Sequence, residues 1–547
     1  MNDRTRPGRI RTAVAVAAVL AFAPAASAQT RPQAPTGRAT AAKSLREAPR
    51  VRVTRVRFEG NTALGDGELA GIAARYVGRT LQAEDLEELR LEVTRRYVAA
   101  GYINSGAVIP DQKVADGVLV VRIVEGRLAA AEISGEHVFQ RGFLEERLLL
   151  AAGTPLNVNR LQEAMQVLLQ EGAIEQINSE LAPGERPGEA ILRTRVREAP
   201  RFSAELAAVN NRPPNVGETA GEIRLAARNS WGLNETLSAS YAITKGNDEY
   251  GVSASVPVTA RDTAAFVRAG RTLGAVVEAP FDRIDLASVS ETTEAGVRHP
   301  WIRALDRSLV TILSLTRSRT TTYLLGEPFP IHPGSEEGRT RVTAVRPAVE
   351  WVRRDADRVF AARAALGFGL DAMGSTIHDD RRLPDSRFVT GLGQAQWIAR
   401  IDGDAGQVVA RADFQLASRK LPVSEQFPVG GAASVRGYRE NTLIRDEGIS
   451  ASLEYRMRIG RLELPGMSAS PSDGAVQLAV FVDAGAGRES GGRSDSLASV
   501  GGGLRWSAGG GLEASVYKGL ALRDRPAGGN ALQDHGIHFR IAWQRRF

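Results

Sequence analysis

The chain has 547 residues, of which 43% are hydrophobic and 6% aromatic, and it contains no cysteine. This length predicts about three folded units of ~100–200 residues each. The absence of cysteine excludes a disulfide scaffold, a zinc–thiolate site, an iron–sulfur cluster and a cysteine nucleophile. The formal charge is +7, and four arginines against one aspartate in the first 28 residues supply +3 of it, so the charge gives no reason to expect a nucleic-acid partner.

Residues 1–28 have the pattern of a secretory signal peptide. A basic start ending at Arg11 precedes an apolar run from Thr12 to Ala23, and Ala26-Ser27-Ala28 supplies a small-residue cleavage site. The apolar run is shorter than the ~20 residues that a membrane-spanning helix needs, so the alternative is a retained amphipathic anchor. Residues 29–50, rich in Ala, Pro, Arg and Thr, are predicted to be a linker.

Residues 51–127 are predicted to form the first folded unit. Its helix over 84–100 is the clearest element, because its apolar positions advance by three or four residues and Gly101 ends it. The alternation of apolar and polar residues in the first strand is interrupted once, and a bulge or a ragged strand start explains the interruption. The predicted elements are a strand over 51–58, helices over 69–77 and 84–100, and strands over 106–109 and 118–124. Their order is β-α-α-β-β.

Residues 128–200 are predicted to repeat this order. The elements are a strand starting at 130–133, helices over 143–151 and 158–171, and strands over 174–181 and 190–196. A repeat of about 75 residues indicates two α+β units in tandem, which is stronger evidence than either copy alone.

Residues 201–547 change to an alternation of apolar and polar positions. The clearest run is at 449–459, where apolar side chains alternate with Glu454, Arg456 and Arg458. A transmembrane barrel directs the apolar set to lipid and the polar set to a wet lumen, in strands of ~10 residues, which makes these three residues candidates for the lumen wall. Sixteen antiparallel strands fit the length at about 22 residues per strand and connection, although fourteen or eighteen also fit, and a β-sandwich is the soluble alternative.

The last predicted strand supports the membrane interpretation. Ile537, Phe539, Ile541 and Trp543 share one face, and the sequence ends at Phe547, which is the predicted barrel-closure signal. Earlier, the alternation over 476–483 puts an all-apolar set on one face and Asp483 on the other, which predicts that this carboxylate points into the lumen.

At these motifs the chain resembles the two-partner secretion transporters, the TpsB family of the FhaC, ShlB and HecB type, within the BamA-like superfamily of POTRA and β-barrel proteins. Phe58-Glu59-Gly60-Asn61-Thr62 resembles the opening of a POTRA domain. The most specific string is Val435-Arg436-Gly437-Tyr438, which resembles the family's motif in a long extracellular loop. Phe481-Val482-Asp483-Ala484-Gly485 follows on a later strand. Further matching strings are Gly101-Tyr102-Ile103-Asn104-Ser105, Val121 to Gly126, Asn210-Asn211, Gly232 to Glu235 and Phe427 to Gly431.

This resemblance implies a fold and an anchored loop. Two periplasmic α+β POTRA domains, 51–127 and 128–200, would precede an outer-membrane β-barrel of about sixteen antiparallel strands, 201–547. The loop around 421–445 would fold into the barrel, where Arg436 would pair with Asp483, Phe481 would form part of the wall and Tyr438 would pack beside the pair. Some relatives carry a plug helix before the first POTRA domain, so residues 29–50 are a linker or a short plug segment.

The resemblance also implies the function. The chain would be an outer-membrane transporter that recognises a large secreted exoprotein, adhesin-like or haemolysin-like, through its POTRA domains and translocates it by two-partner, or type V, secretion. Its other partners would be outer-membrane lipid and the barrel-assembly machinery that inserts it. The alternatives are a barrel-assembly factor of the BamA or TamA type, which usually has three or more POTRA domains, a passive diffusion porin, and a soluble binding protein.

Enzyme chemistry is not predicted. The sequence has no G-x-S-x-G nucleophile elbow and no G-x-x-x-x-G-K-[ST] phosphate loop. His378-Asp379-Asp380 is better explained as a surface loop than as a metal site, because two arginines follow it. Gly509-x-Gly511 lacks the βαβ context of a dinucleotide loop and is ascribed to strand glycines. We therefore expect no catalytic residue, no metal, no cofactor and no nucleic acid.

Overall fold

A computed structural model describes residues 50–135, 139–140, 142–401, 406–523 and 529–547. The chain forms two compact units, one that ends at Ala199 and one that extends from Pro200 to Phe547. The predicted signal peptide, and the predicted linker apart from Arg50, lie outside the described residues. Within the described residues, no helix combines the length and the apolar character needed to cross a membrane.

The first unit begins with a β-α-α-β-β repeat to which a sheet of two short strands is added. Its elements are β1 Val51–Arg52, β2 Arg55–Glu59, α1 Asp66–Ala73, β3 Thr80–Leu81, α2 Ala83–Ala99, β4 Gly106–Val108 and β5 Val118–Val124. Where one strand over 51–58 is predicted, the structure has two, because the main chain of Val53 bonds to Arg79 and Gly78 and so draws β1 to β3. β2 joins a separate sheet of order β2-β5-β4. The interruption of the apolar–polar alternation therefore marks the point where the chain passes from one sheet to another, rather than a bulge.

The second repeat has the same order and the same sheet topology. Its elements are β6 Arg127–Gly135, α3 Phe143–Ala152, α4 Val158–Gln170, β7 Ile174–Pro183 and β8 Glu189–Glu198. The sheet order is β6-β8-β7, with β6 parallel and β7 antiparallel to the central β8. The first sheet is built in the same way around β5. The edge strands of the second sheet are therefore β6 and β7.

Hydrogen bonds tie the two repeats to each other. Asn157, which is buried, caps α4 by accepting from the main chain of Asn159 at 3.0 Å, and its Nδ2 donates to the carbonyl of Ala100 at 3.0 Å. The main-chain N–H of Val158 donates to Gly101 at 3.0 Å. The start of α4 is thus fastened to the turn that ends α2, and the capping residue serves both repeats at once.

Pro200–Phe547 forms the barrel unit. Its strands are β9 Phe202–Val209, β10 Ala220–Arg228, β11 Thr236–Ile243, β12 Asn247–Pro257, β13 Ala264–Ala275, β14 Leu286–Arg303, β15 Arg307–Leu324, β16 Glu327–Pro328, β17 Arg339–Arg354, β18 Arg358–Leu370, β19 Val389–Ile401, β20 Gly406–Ala417, β21 Phe427–Val429, β22 Leu443–Arg445, β23 Glu447–Arg461, β24 Ala475–Arg488, β25 Ser494–Gly509, β26 Leu512–Ala521 and β27 Ile537–Arg546. The short β16 extends the end of β15, and β21 pairs with β22 alone. The rest form a closed antiparallel barrel of sixteen strands, which confirms the predicted fold class.

The last strand closes the barrel against the first. β27 pairs with β9 in antiparallel register from Arg540 opposite Val209 to Arg546 opposite Ser203. Beyond this ladder, Phe547 and Phe202 exchange main-chain hydrogen bonds of 2.9 and 3.1 Å, and their rings stack with centroids 6.2 Å apart. In the described part of the barrel, closure pairs both edges of the sheet, and an unpaired edge would not be tolerated in hydrocarbon.

The two faces of each wall strand differ as alternation requires. On β23, Ile449 and Leu453 are exposed on the outer face while Ser450 and Glu454 are buried inside. On β24, Val480 and Val482 face outward and Asp483 faces inward. Because successive side chains of a strand point to opposite faces, one register sets the direction of every residue on it.

In the first repeat, Glu125 brings together two of the sequence motifs. Its carboxylate accepts from the main-chain N–H of Thr62 at 2.7 Å and of Ala63 at 2.8 Å, from the Thr62 hydroxyl, and from the Tyr97 hydroxyl at 2.8 Å. Burial raises the pKa of Glu125, but the hydrogen bonds from Thr62 and Ala63 outweigh it and hold the pKa below the usual carboxyl range. The carboxylate thus holds the loop between β2 and α1.

We expect Glu125→Gln to destabilise the first unit by about 1–3 kcal/mol, because a neutral amide cannot accept all four hydrogen bonds. Since the folded pKa lies below the unfolded value of about 4.3, this contribution is present above that pH and is lost as pH falls through the folded pKa. Urea unfolding of residues 50–199 between pH 7 and pH 3 measures both effects. The variant should lose less stability on acidification than the parent, and parallel curves would contradict this role.

Candidate functional site

A long connection between β20 and β23, residues 418–446, folds into the barrel. We call it the inward loop; the sequence predicts it around 421–445. Its β21–β22 hairpin is separate from the barrel sheet, and β21 packs against the wall strands β23 and β24. Phe427, Val429 and Leu443 form part of its buried apolar cluster. The loop therefore has a small core of its own, pressed against the inner wall.

Two glycines allow the tip of the loop to touch the wall backbone. Gly437 has φ = 94°, and a Cβ placed on it would lie 2.9 Å from the carbonyl carbon of Gly519 on β26. A Cβ on Gly519 would lie 2.5 Å from the nitrogen of Gly437. Both positions require glycine, one for its backbone angle and both for the close approach.

Arg436 joins the inward loop to the wall strands β23 and β24. Its Nε donates to Asp483 Oδ2 at 2.8 Å and its Nη2 to Asp483 Oδ1 at 2.9 Å, a two-point contact that the planar guanidinium favours. Its own main-chain N–H also donates to Asp483, at 3.0 Å. Nη1 donates to Glu454, and Nη2 to Ser452 at 3.1 Å. Arg436 is only 7% exposed and Asp483 is fully buried.

Two aromatic rings flank the same guanidinium. Its carbon lies 3.5 Å from the ring centroid of Phe481 and 5.0 Å from that of Tyr517. Desolvated contacts of this kind contribute up to about 2 kcal/mol. Phe481, predicted as a wall partner through the family resemblance, thus touches Arg436 itself. Tyr517, on β26, had no sequence signal that pointed to the site.

Glu454 supplies a second carboxylate, which balances the buried charge. It accepts from Arg456 Nε at 2.5 Å and from the Tyr517 hydroxyl at 3.1 Å, in addition to its contact with Arg436. Two arginines therefore face two carboxylates in one connected network. Sequence alternation put Glu454 and Arg456 on the lumen face but did not bring either to the Arg436–Asp483 pair. Arg458, the third lumen candidate, is exposed and makes no polar contact with this network in the described part of the chain.

Tyr438 is buried in the loop's apolar cluster with Val429 and Val435. Its hydroxyl lies 3.0 Å from the carbonyl of Ala498 and 3.1 Å from that of Arg523. The hydroxyl needs main-chain partners once the ring is buried, and these are on the wall and at its rim. Tyr438 therefore fixes the loop at a second point.

A third set of contacts, which the sequence did not suggest, joins the loop to the connection before β27. Arg439 makes a two-point contact with Asp534 at 2.5 and 2.8 Å. The same guanidinium contacts Glu278, in the connection between β13 and β14, at 2.8 and 3.1 Å. The hydrogen bond to Asp534 is the largest influence that raises the pKa of Arg439, and burial acts in the opposite direction.

Buried amides link the loop to the barrel closure. The Gln533 side chain accepts from the main chain of Glu440 at 2.8 Å and donates to the carbonyls of Asn210 and Arg212 at 2.8 and 2.7 Å. The Asn210 side chain in turn bonds to the carbonyl of Ile537 at 2.8 Å and the N–H of Phe539 at 2.6 Å. Gln533 and Asn210 are each 1% exposed, so the inward loop and the β9–β27 closure share one polar network.

No group of three or more His, Cys, Asp or Glu side chains is placed to hold a metal ion anywhere in the described ranges. His378 lies in the connection between β18 and β19, and its Nε2 is 2.9 Å from the carbonyl of Gly334. Gly509 is the last residue of β25, as predicted, whereas Gly511 lies in the tight turn between β25 and β26 and is a turn glycine.

Two segments match protein-family models. Residues 51–126 match the POTRA domain of ShlB type, and residues 188–506, more than half of the chain, match the haemolysin secretion/activation protein ShlB/FhaC/HecB. The outer membrane transporter CdiB of Dickeya dadantii is 22% identical over 408 residues, covering 72% of this chain and 70% of that protein. The heme/hemopexin transporter protein HuxB of Haemophilus influenzae is 21% identical over 404 residues, covering 71% and 69%.

Solved structures show the same architecture. CdiB from Escherichia coli superposes with a TM-score of 0.70 at 20% sequence identity, covering 93% of each chain. CdiB from Acinetobacter baumannii superposes with a TM-score of 0.65 at 17% identity, covering 95% of each chain. At these identities the likeness concerns the fold.

Removing the Arg436 side chain should free the inward loop. Arg436→Ala leaves Asp483 and Glu454 buried without their shared cation, a loss that typically costs about 3–5 kcal/mol. Because the chain has no cysteine, a spin label at Ala433→Cys reports loop motion directly. We expect a sharper spectrum in Arg436→Ala. Arg458→Ala, which removes an arginine of the same strand face outside this network, should leave the spectrum unchanged; identical spectra for all three proteins would contradict the anchor.

Proposed function

The chain belongs to the haemolysin secretion/activation family of ShlB, FhaC and HecB, and we propose that its inward loop and its two POTRA repeats perform separate steps of secretion. It is an outer-membrane transporter that carries a secreted exoprotein to the cell surface by two-partner secretion, with its POTRA domains in the periplasm. The family is one of transporters rather than enzymes. Membership favours secretion over the barrel-assembly and porin alternatives.

The observation that carries the proposal for the loop is the balanced, buried network around Arg436. A charge pair this deep is stable only when every group keeps its partner, so the network favours two discrete states, loop docked or loop released, over a gradual displacement. We infer that the docked loop sets the resting state of the pore. Its release, or a shift along the wall, would widen the path for cargo.

The proposed path for the cargo is the polar inner wall. Arg268 and Glu294 pair at 3.0 Å across β13 and β14, and Glu350 and Arg363 approach to 3.9 Å across β17 and β18. Charges already paired within the wall offer hydration and weak, replaceable contacts to an extended chain. A conducting pore needs such contacts, because strong binding would stop the passage of the chain.

We further propose that the second repeat captures the exoprotein by strand addition at β7. This strand has ten residues, Ile174–Pro183, and forms an edge of its sheet. Asn178 and Glu180 on it are exposed, and main-chain groups at a sheet edge can pair with an added strand of almost any sequence. An edge of this length suits an unfolded cargo better than a pocket shaped for one side chain.

The pairing of β27 with β9 and the exposed ring of Phe547 support a last part of the proposal, that the barrel-assembly machinery recognises β27 during insertion into outer-membrane lipid. Phe547 is 63% exposed even though its main chain is paired with Phe202, so its ring is accessible at the closure of the barrel.

We expect Arg436→Ala and Asp483→Ala each to abolish or strongly reduce secretion while the barrel still inserts. Arg436→Lys should also be impaired, because an ammonium group cannot make the two-point contact. The double variant should be little worse than either single variant, since both remove one interaction. Secreted exoprotein is measured at equal barrel abundance, with Arg458→Ala as the matched control. Wild-type secretion by Arg436→Ala would contradict the loop-anchor mechanism.

Strand addition predicts a pattern of cross-links. In this cysteine-free chain, Asn178→Cys on β7 should form disulfides with single cysteines along the exoprotein's N-terminal secretion domain, at every second position of one segment. Arg95→Cys, on the exposed face of α2, should give no such pattern. The assay is non-reducing electrophoresis of the purified periplasmic unit mixed with the secretion domain. Cross-links without a two-residue period, or equal yields at both sites, would contradict capture by β7.

A further inference from the structure

The outer face of the barrel carries two arginines directly opposite each other. Arg319 on β15 and Arg341 on β17 are partners in the antiparallel ladder. They point outward, because Leu313 and Leu315 on the same face of β15 are exposed at 57% and 36%, while Ser318, next to Arg319, is buried inside. Like charges directly opposite on one sheet face repel each other, so this arrangement calls for an anion.

The neighbouring residues add positive charge. On the other side of Arg319, the ladder places Glu291 of β14, and this carboxylate approaches Arg271 of β13 at 3.6 Å. Arg317, also on the outer face of β15, donates to the carbonyl of Met373 at 3.0 Å, which leaves its charge uncompensated. Four arginines thus meet one carboxylate, and within the described ranges no ion pair joins Arg317, Arg319 or Arg341 to an acidic side chain.

The cluster lies at the extracellular edge of the lipid-facing surface. β15 is the seventh barrel strand and runs in the same direction as β9, from the periplasmic side upward, so its later residues are the outer ones. Its outward residues run from Arg307 through Leu309, Leu313 and Leu315 to Arg317 and Arg319. Arginine is poorly tolerated at the bilayer midplane but costs only about 0–1 kcal/mol at the interface. The arginines therefore mark the depth of the outer-leaflet headgroups.

An apolar cleft lies below the arginines on the same outer face. It has a volume of about 780 Å³, and Leu313, Pro347, Val349 and Leu366 are among the residues that line it. Pro347, Ala364 and Gly391 leave room between the larger side chains. Leu313 is four residues below Arg317, about 14 Å at ~3.4 Å per residue, a distance that one lipid acyl chain can bridge.

We propose that Arg271, Arg317, Arg319 and Arg341 bind the phosphate groups of a phosphorylated glycolipid of the outer leaflet, lipopolysaccharide, whose acyl chain lies in the cleft. Guanidinium groups bind phosphate through paired hydrogen bonds, and the anion would offset the repulsion between Arg319 and Arg341. The proposal rests on the outer-membrane location and not on the identity of the cargo or the motion of the inward loop.

The test uses the full-length protein in phosphatidylcholine nanodiscs, titrated with bis-phosphorylated lipid A and followed by native mass spectrometry. We expect the wild type to bind this lipid at least tenfold more tightly than its dephosphorylated form. The variant Arg319→Gln/Arg341→Gln should lose that preference. The matched control is Arg307→Gln/Arg353→Gln, which removes an opposed outward pair at the periplasmic end, and it should bind as the wild type does.

Three results would overturn the proposal: equal affinity for both lipid forms, an unchanged preference in Arg319→Gln/Arg341→Gln, or full displacement of lipid A by millimolar inorganic phosphate, which would show a free-anion site. Folding is monitored by heat-modifiable migration in electrophoresis. If the double variant does not fold, the single variants Arg319→Gln and Arg341→Gln replace it, and each should reduce the preference for the phosphorylated lipid at least threefold.

Discussion

One guanidinium group, buried between two carboxylates and two aromatic rings, holds the inside of this barrel together. Arg436 reaches the wall from a loop and contacts Asp483 and Glu454 where water cannot replace a lost partner. In such surroundings a satisfied network is rigid and a broken one is costly. The loop therefore has one defined position in the barrel. A flexible connection of its length would otherwise stay disordered, because ordering each residue costs about 1–2 kcal/mol.

Hydrogen bonds of buried amide side chains, rather than charges, connect the loop to the barrel closure. Gln533 joins the loop at Glu440 to the end of β9, and Asn210 fastens β9 to β27. These side chains are buried and use their polar atoms on main-chain groups, which would otherwise be unsatisfied. Because the contacts are shared, a change in loop position alters the hydrogen bonding of the closure, and the same holds in reverse.

The periplasmic unit and the barrel obtain their stability in different ways. The first repeat has a conventional apolar core, and one face of α2 contributes Leu89, Val93 and Tyr97 to it. In the barrel, many large apolar side chains of the wall face outward, and the buried apolar clusters, such as that of the inward loop, are smaller. Much of the order inside the barrel comes from paired charges and buried amides, with Arg436 at the centre of the charged network.

Periodicity and motif strings were sufficient to predict the two β-α-α-β-β repeats, an antiparallel barrel and the inward direction of Asp483, because these follow from local rules of alternation and helix spacing, whereas the strand count was left at fourteen, sixteen or eighteen. The family resemblance supplied the pairing of Arg436 with Asp483. The tertiary structure alone decided that Glu454 completes the pair, that the Tyr517 ring flanks it, and that the loop reaches the closure. Those neighbours come from strands far apart in the chain, and their meeting depends on cross-strand register and barrel curvature, which a local pattern does not encode.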